Sequence, residues 1–433
     1  MAQYNADELV APTWLNETFF KQIVDKNSPE ADYKIFELNI TPASQKGDHY
    51  ASIMFRVSLI YGNNESSKLS STMIVKTLPS SDTDKGAILS NAQIFETELK
   101  MYETLIPRFE KEWLRAGERV KFAGKMLYHS LLTPQPVIVL EDLCTAGYDI
   151  LRNRAFSYDE VKLCLYKLAQ WHAVSYKLAM QQPADTDVIQ LKHGLFKSSS
   201  LMSTDYISKG MMTMIAALEE VGGFEQYLPK LRKLEPKLIE RCVALNDAYS
   251  NGVVGPIYVL THGDFHTRNL MVKRKANDAE SPIDDLLFID FQLCFFGTSC
   301  YDLVYSSYMI FSKEMRDQKC TELYSYYFDQ FLACLEKLDV AKPWPEFNDL
   351  QQDLKRWSCF EIFVVSTFLP LIMLGVPNPE EEDEEEEAIE LKDIDIDKIF
   401  MSSKYRQSFY KRANYLNWLR VLLSSYLEAG YLD

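Results

Sequence analysis

The sequence predicts an α+β protein of two lobes, a small antiparallel β-sheet lobe followed by a large, mainly helical one. Three observations carry this expectation. Runs rich in β-branched and aromatic residues fall before residue 140, and helical periodicity dominates from residue 159 onward. Between the helices lies one strand–loop–strand stretch, Thr261 to Tyr305, with polar residues at regular spacing.

Taken in order, Pro12 to Val24 reads as a helix with Leu15, Phe19, Phe20 and Ile23 on one face. Tyr33 to Ile40 alternates apolar and polar residues as a strand does. Gly47 to Ser52 is a turn, Ile53 to Tyr61 a strand, Asn63 to Ser71 a polar hairpin loop, and Thr72 to Lys76 a strand ending on lysine. Gln93 to Leu105 reads as a helix carrying Glu98. Val137 to Leu140 is apolar and leads into a hinge at 141–146. Asp159 to Gln182 has strong helical periodicity, and Ser199 to Ser250, Tyr301 to Lys337, Leu354 to Met373 and a final helix from Met401 to Leu432 follow. The expected division is a small sheet lobe at 1–140, the hinge, and a helical lobe at 147–433. No internal repeat is found.

The interrupting stretch carries the chemistry. Leu260 ends an apolar run, His262, Gly263 and Asp264 follow, and Asn269 precedes the short strand Leu270 to Val272. Lys273 to Asp285 reads as a hairpin loop, and the return strand Leu286 to Ile289 delivers Asp290. Asp264, Asn269 and Asp290 are thus expected at one end of a small ribbon. Phosphoryl transfer wants such a set: a carboxylate to align an incoming hydroxyl and take its proton, and hard oxygens for Mg2+ on ATP. H-x-D-x4-N followed by strand-D-F is a kinase pattern, altered here by Gly263 and Gln292. Asp264 is read as the base, and Asn269 and Asp290 as magnesium ligands. For Asp290 the alternative is a carboxylate capping a turn, but its apolar flanks make an unpaired acid costly and a cation removes that cost.

Composition bounds the rest. The chain has 433 residues, 47% hydrophobic, enough for two sizeable cores. Net charge is −16, and eight of those charges sit in the unbroken run Glu380 to Glu387, read as a solvated loop. An acidic chain without a basic cluster argues against nucleic acid. MAQYNADELV is read as neither signal nor transit peptide, and the longest apolar run, Ile362 to Val376, is too short to span a bilayer. Eight scattered cysteines without C-x-x-C read as reduced thiols in a cytoplasmic protein, and zinc is not expected. No obligatory protein partner is indicated.

HGDxxxxN with IDFQ resembles kinases of small molecules: aminoglycoside phosphotransferases, choline kinases and, most closely, the insect ecdysteroid kinase-like family. The resemblance rests on GDHYAS (47–52), MIVKTLP (73–79), FETELKMY (95–102), VLEDL (139–143), LAQWHAVSY (168–176), HGDFHTRN (262–269) and FIDFQ (288–292), in order over most of the chain. It implies the bilobal protein-kinase-like fold, ATP and Mg2+ as cofactors, and a hydroxylated small molecule as acceptor. The acceptor would be an ecdysteroid or detoxification substrate, with choline-like amino alcohols as the alternative. Helical insertions after the hinge would build its pocket.

In that frame Lys76 reaches the α- and β-phosphates and Glu98 holds it by an ion pair. The plain alternative is a surface lysine at a strand end. Gly47 to Ser52 would cover the phosphates with backbone N–H groups and the Ser52 hydroxyl, although it has one glycine rather than three. Glu141 to Leu143 would offer backbone groups to adenine, on resemblance alone. His262 and Asp302 are assigned to loop support rather than chemistry, and His172 to the core. For His266 three readings stand: γ-phosphate, acceptor or solvent. Tyr301, Tyr305 and Tyr308 form a helical stripe read as core. A two-metal phosphoesterase would need more His and Asp ligands than the chain has. A kinase-shaped binding module would be expected to have lost one of Lys76, Glu98, Asp264, Asn269 or Asp290. No A-P-E motif points to protein substrates.

Overall fold

The first sheet forms where the sequence alternates. In a computed structural model, strands β1 (Lys34–Pro42), β2 (Ile53–Gly62), β3 (Lys68–Thr77), β4 (Met126–Ser130) and β5 (Val137–Glu141) make an antiparallel sheet in the order β1-β2-β3-β5-β4. The structure describes residues 8–27, 32–44, 52–79, 86, 93–131, 136–152, 154–181, 186–192, 194–275, 282–373, 398–399 and 402–433. Gly47 and the acidic run Glu380 to Glu387 lie outside them.

Alternation in β2 buries Ile53, Phe55, Val57 and Leu59, which pack with Val75, Val139 and the Phe20–Ile23 face of helix α1 (Glu17–Asn27). Each large apolar side chain so buried contributes roughly 1.5–3 kcal/mol. β3 begins at Lys68 rather than Thr72. Lys68 to Ser71 are mostly polar and mostly exposed, so composition reads them as loop, yet they complete the ladder opposite Gly62 to Leu59. β4 was not expected either; at five residues without alternation it leaves no periodic signal.

Helices of about two turns or more continue the chain: α2 (Ile94–Lys100), α3 (Ile106–Arg115), α4 (Tyr158–Gln181), α5 (Gly210–Val221), α6 (Leu228–Ser250), α7 (Ser299–Met309), α8 (Lys313–Lys337), α9 (Phe347–Arg356), α10 (Ser358–Thr367), α11 (Ser403–Tyr410) and α12 (Ala413–Glu428). The expected single final helix is two, because Arg412 is extended (φ −68°, ψ 139°) and breaks the backbone ladder between α11 and α12. Likewise Tyr301 to Lys337 divides at Ser312, whose Oγ accepts the Met315 N–H at 3.2 Å and starts α8 afresh.

By contacts along the chain, the molecule divides into two units. The first comprises Met1–Glu110, Lys121–Leu151 and Arg268–Gln292; the second comprises Lys111–Val120, Arg152–Thr267 and Leu293–Asp433. Residues 268–292, which a division by chain order assigns to the helical lobe, make their contacts in the first unit. There β8 (Leu270–Arg274) lies between β6 (Tyr148–Ile150) and β9 (Ile283–Phe288), over a small core of Leu143, Met271 and Leu287. In the second unit, β7 (Tyr258–Thr261) pairs with β10 (Phe295–Thr298), and α4 packs on α8 through His172 against Tyr327 and Tyr176 against Phe331. The α+β class holds: antiparallel sheet in the N-terminal region, helices in the C-terminal part. Among the described residues no helix is long and apolar enough to cross a membrane.

Candidate active site

Lys76 sits near the end of β3, between Met54 of β2 and Ile138 of β5. Strand pairing on both sides fixes its backbone, and the side chain is 3% exposed. Its Nζ lies 2.6 Å from Glu98 Oε2 on α2 and 2.7 Å from Asp290 Oδ1 just after β9. Burial alone would lower the ammonium's pKa, but the carboxylates of Asp290 and Glu98 outweigh it and hold Lys76 above the ordinary lysine value. For Glu98 burial dominates. It is pushed up to about 7, with the neighbouring Asp290 charge adding to the push and the Lys76 ammonium opposing it. The Phe291 N–H also binds Glu98, tying the residue after Asp290 to α2.

Asp290 has φ +65°, a left-handed conformation uncommon outside glycine and better tolerated by Asp than by bulky residues. Such strain persists where surroundings over-determine it. Here the neighbour Phe291 is fully buried with its ring edge-on to Tyr102 at 5.3 Å, while Gln292 Nε2 donates to Asp290 Oδ2 at 3.3 Å. Asn269 shares this end of the β8–β9 ribbon: Leu270 pairs with Phe288, and the Ile289 N–H donates to the Asn269 carbonyl at 3.1 Å. The ribbon therefore places an amide side chain and a carboxylate at one end of a hairpin. Both are hard oxygen donors of the kind Mg2+ takes, two from protein and the rest from phosphate and water. Among the described residues, no group of three or more His, Cys, Asp or Glu could hold a metal ion on protein ligands alone.

Of the other nucleotide candidates, Ser52 is buried at the start of β2. The Glu141 N–H donates to the Lys125 carbonyl at 2.8 Å, and its Oε2 accepts the Lys125 N–H at 3.0 Å. That N–H is taken by Lys125, the residue before β4. The Leu143 side chain belongs to the small core described above. Between them Asp142 accepts from Arg56 Nε at 2.8 Å and from the Cys144 N–H at 3.2 Å, so β2 is pinned to the end of β5.

Asp264 belongs to the second unit. Its Oδ1 accepts the Tyr305 hydroxyl at 2.9 Å, and its Oδ2 lies 3.4 Å from His266 Nε2. Burial would raise this carboxyl, but His266, the Tyr305 hydroxyl and the more distant His262 together hold it below the usual aspartate value, so it stays ionised at neutral pH. The backbone behind it is gripped by Asp302 of α7, which accepts the His262 N–H at 2.6 Å and the Gly263 N–H at 3.0 Å. His172 of α4 completes the support: Nε2 lies 3.1 Å from Asp302 Oδ2 and Nδ1 lies 2.7 Å from the Tyr327 hydroxyl, all fully buried. Gly263 has φ +80°, and a Cβ there would stand 2.0 Å from the Leu293 carbonyl oxygen. This is a physical reason for glycine in the second position of H-x-D.

Sequence reading missed three residues of these clusters. Tyr305 looked like one ring in a core stripe; its hydroxyl is a partner of Asp264. His266 had three open readings, none of them contact with Asp264 itself. Arg56 and its pairing with Asp142 had no sequence signal, since the partners lie on strands far apart in the chain.

The ecdysteroid kinase-like family model matches residues 46–340, a span that holds Lys76, Glu98, Asp264, Asn269, Asp290 and Asp302. No curated protein matches the chain. A solved aminoglycoside-3'-phosphotransferase of type VIII is 13% identical over 75% of this chain and 98% of that chain, with a TM-score of 0.28, too low to carry an argument. With well over half of its length matched by the family model, the chain belongs to the ecdysteroid kinase-like family of small-molecule kinases.

Proposed function

We propose that the protein is an ATP- and Mg2+-dependent phosphotransferase acting on an alcohol group of a lipophilic small molecule, an ecdysteroid or a detoxification substrate, in the cytoplasm of an insect cell. The observation that carries the reading is the Lys76 ammonium held by Glu98 at 2.6 Å and Asp290 at 2.7 Å. Burying a lysine and a glutamate beside a second carboxylate is expensive for stability alone, so such clusters concentrate where charge is used.

In this reading Lys76 binds the α- and β-phosphates, and Glu98 keeps its amine from swinging away. Asn269 and Asp290 would hold Mg2+, and their donor types fit it. When bound, the ion neutralises charge on the β- and γ-phosphates. Asp264 orients the acceptor hydroxyl and takes its proton as the oxygen gains the phosphoryl group and ADP leaves. The lowered pKa of Asp264 keeps it ready to accept that proton at neutral pH. Asp302 and His262 hold the loop that carries it.

The test incubates purified protein with Mg-ATP and polyhydroxylated steroids, plant phenolics, glycosides or amino alcohols, and seeks phosphorylated product by mass spectrometry. One class should yield product, and Asp264→Asn should abolish it. Product from amino alcohols alone would move the acceptor assignment to that class. Tight Mg-ATP binding with no product across the panel would make the protein a binding module instead.

A further inference from the structure

We propose that Tyr305 is a positioning residue, holding one oxygen of Asp264 so that the other is presented to the acceptor hydroxyl. The inference rests on the reading of Asp264 as base and adds a residue to it.

Asp302 and Tyr305 are three residues apart and therefore share a helix face. Asp302 takes the N–H groups of His262 and Gly263, and Tyr305 takes the side chain of Asp264. Three consecutive loop residues are thus gripped by one helical turn. The next turn is anchored in its own right. The Tyr308 hydroxyl donates to Glu361 Oε1 at 2.6 Å and meets the Tyr426 hydroxyl at 2.9 Å, and the Arg316 guanidinium, paired with Glu361, lies over its ring at 4.6 Å. The helix has little freedom to rotate without losing these hydrogen bonds of Tyr308.

Tyr305 fixes one oxygen of Asp264. Oδ1 receives a hydroxyl at 2.9 Å, within normal hydrogen-bond length. Oδ2 has His266 Nε2 at 3.4 Å, longer than a strong bond to a carboxylate. A carboxylate fixed at Oδ1 presents Oδ2 in one direction, as a near-attack geometry requires. Tyr305 is 7% exposed, with its ring edge-on to Phe368 at 5.8 Å, so packing defines the hydroxyl's aim.

A donor to a carboxylate favours its ionised form. Titratable groups facing Asp264 include His266 and His262 from its own loop and Tyr301 from α7. Removing one hydroxyl donor while these remain should raise the acid limb of the pH–rate profile by about one pH unit.

The test measures phosphate release from Mg-ATP with water as acceptor, from about pH 3 to pH 8 so that the limb of a carboxyl held below the usual aspartate value is sampled, for wild type, Tyr305→Phe and Asp264→Asn. Mg-ATP affinity is measured by calorimetry alongside. We expect Tyr305→Phe to lower kcat by about tenfold or more, leave Mg-ATP affinity within twofold and move the acid limb upward. 3-Fluorotyrosine at position 305 keeps the ring and strengthens the donor. It should restore the rate and move the limb the opposite way, and it serves equally if the phenylalanine variant does not fold. Unchanged rate and limb in Tyr305→Phe, with Asp264→Asn inactive, would overturn the positioning role and leave the function reading standing. An Asp264→Asn protein as active as wild type, or a wild type that releases no phosphate, would count against the function reading itself.

Discussion

The two units hold their key carboxylates by different means. In the first, Asp290 is met by the ammonium of a buried lysine that also contacts Glu98. In the second, Asp264 is met by a phenol hydroxyl and an imidazole. A buried ammonium with one carboxyl at 2.6 Å and another at 2.7 Å makes a lock: directional and costly to break from one side. A hydroxyl and a ring make a softer cradle that fixes orientation without neutralising the carboxylate. The first arrangement suits groups that must position charge, and the second suits a group that must accept a proton.

The largest expected effect comes from the lock. Lys76→Met leaves Glu98 and Asp290 facing each other in a buried site without their counter-ion. Removing one partner of a buried pair costs about 3–5 kcal/mol. Urea unfolding should show that loss, and calorimetry should show Mg-ATP binding gone. A stability within 1 kcal/mol of wild type would mean the cluster is not a lock at all.

Asp264→Asn should behave in the opposite manner. Turnover is expected to fall by about 10²–10⁴-fold, the range for losing a general base. Stability and Mg-ATP affinity should barely move, since the amide still fits and still accepts from Tyr305. A large stability loss here would erase the contrast between the units.

Gly263→Ala sharpens the same comparison from the backbone side. A Cβ 2.0 Å from the Leu293 carbonyl at φ +80° forces the loop to shift, at a cost of roughly 1–3 kcal/mol. Activity should fall with stability, and amide exchange at His262 and Gly263 should quicken as their bonds to Asp302 loosen. Unaltered exchange would show that the loop absorbs the methyl elsewhere.

The smallest effect is a pH slope. Glu98 is pushed up to about 7 from its ordinary 4.5, so the folded chain holds this proton more tightly than the unfolded one. Its contribution to stability is complete below about 4.5 and is lost as pH rises through about 7. In Asp290→Asn the second carboxylate no longer adds to the push, so that part of the slope should flatten. Urea titrations between pH 5 and 8 on both proteins decide it; parallel slopes would mean Asp290 does not act on Glu98.

Much of this was legible in the chain because it is local. Lys76 at the end of an alternating strand, Glu98 on a helix with apolar spacing, and Asn269 and Asp290 bracketing a short hairpin are all patterns of period and turn chemistry. They yield element type, the α+β class and the candidate ligands at one ribbon end without knowledge of any distant contact. Even Gly263 announces an unusual backbone, although not what crowds it.

What tertiary structure alone decided is which distant groups meet. Lys76 and Asp290 are 214 residues apart, and Arg56 and Asp142 are 86 apart. The same holds for Tyr305, whose helical stripe fits a core tyrosine and a hydroxyl aimed at Asp264 equally well, since both need the same spacing. A sequence constrains the neighbours of a residue along its own helix or strand, through backbone geometry. The partner across a packed interface is chosen by burial and charge balance summed over the whole unit, and no short window of residues contains that sum.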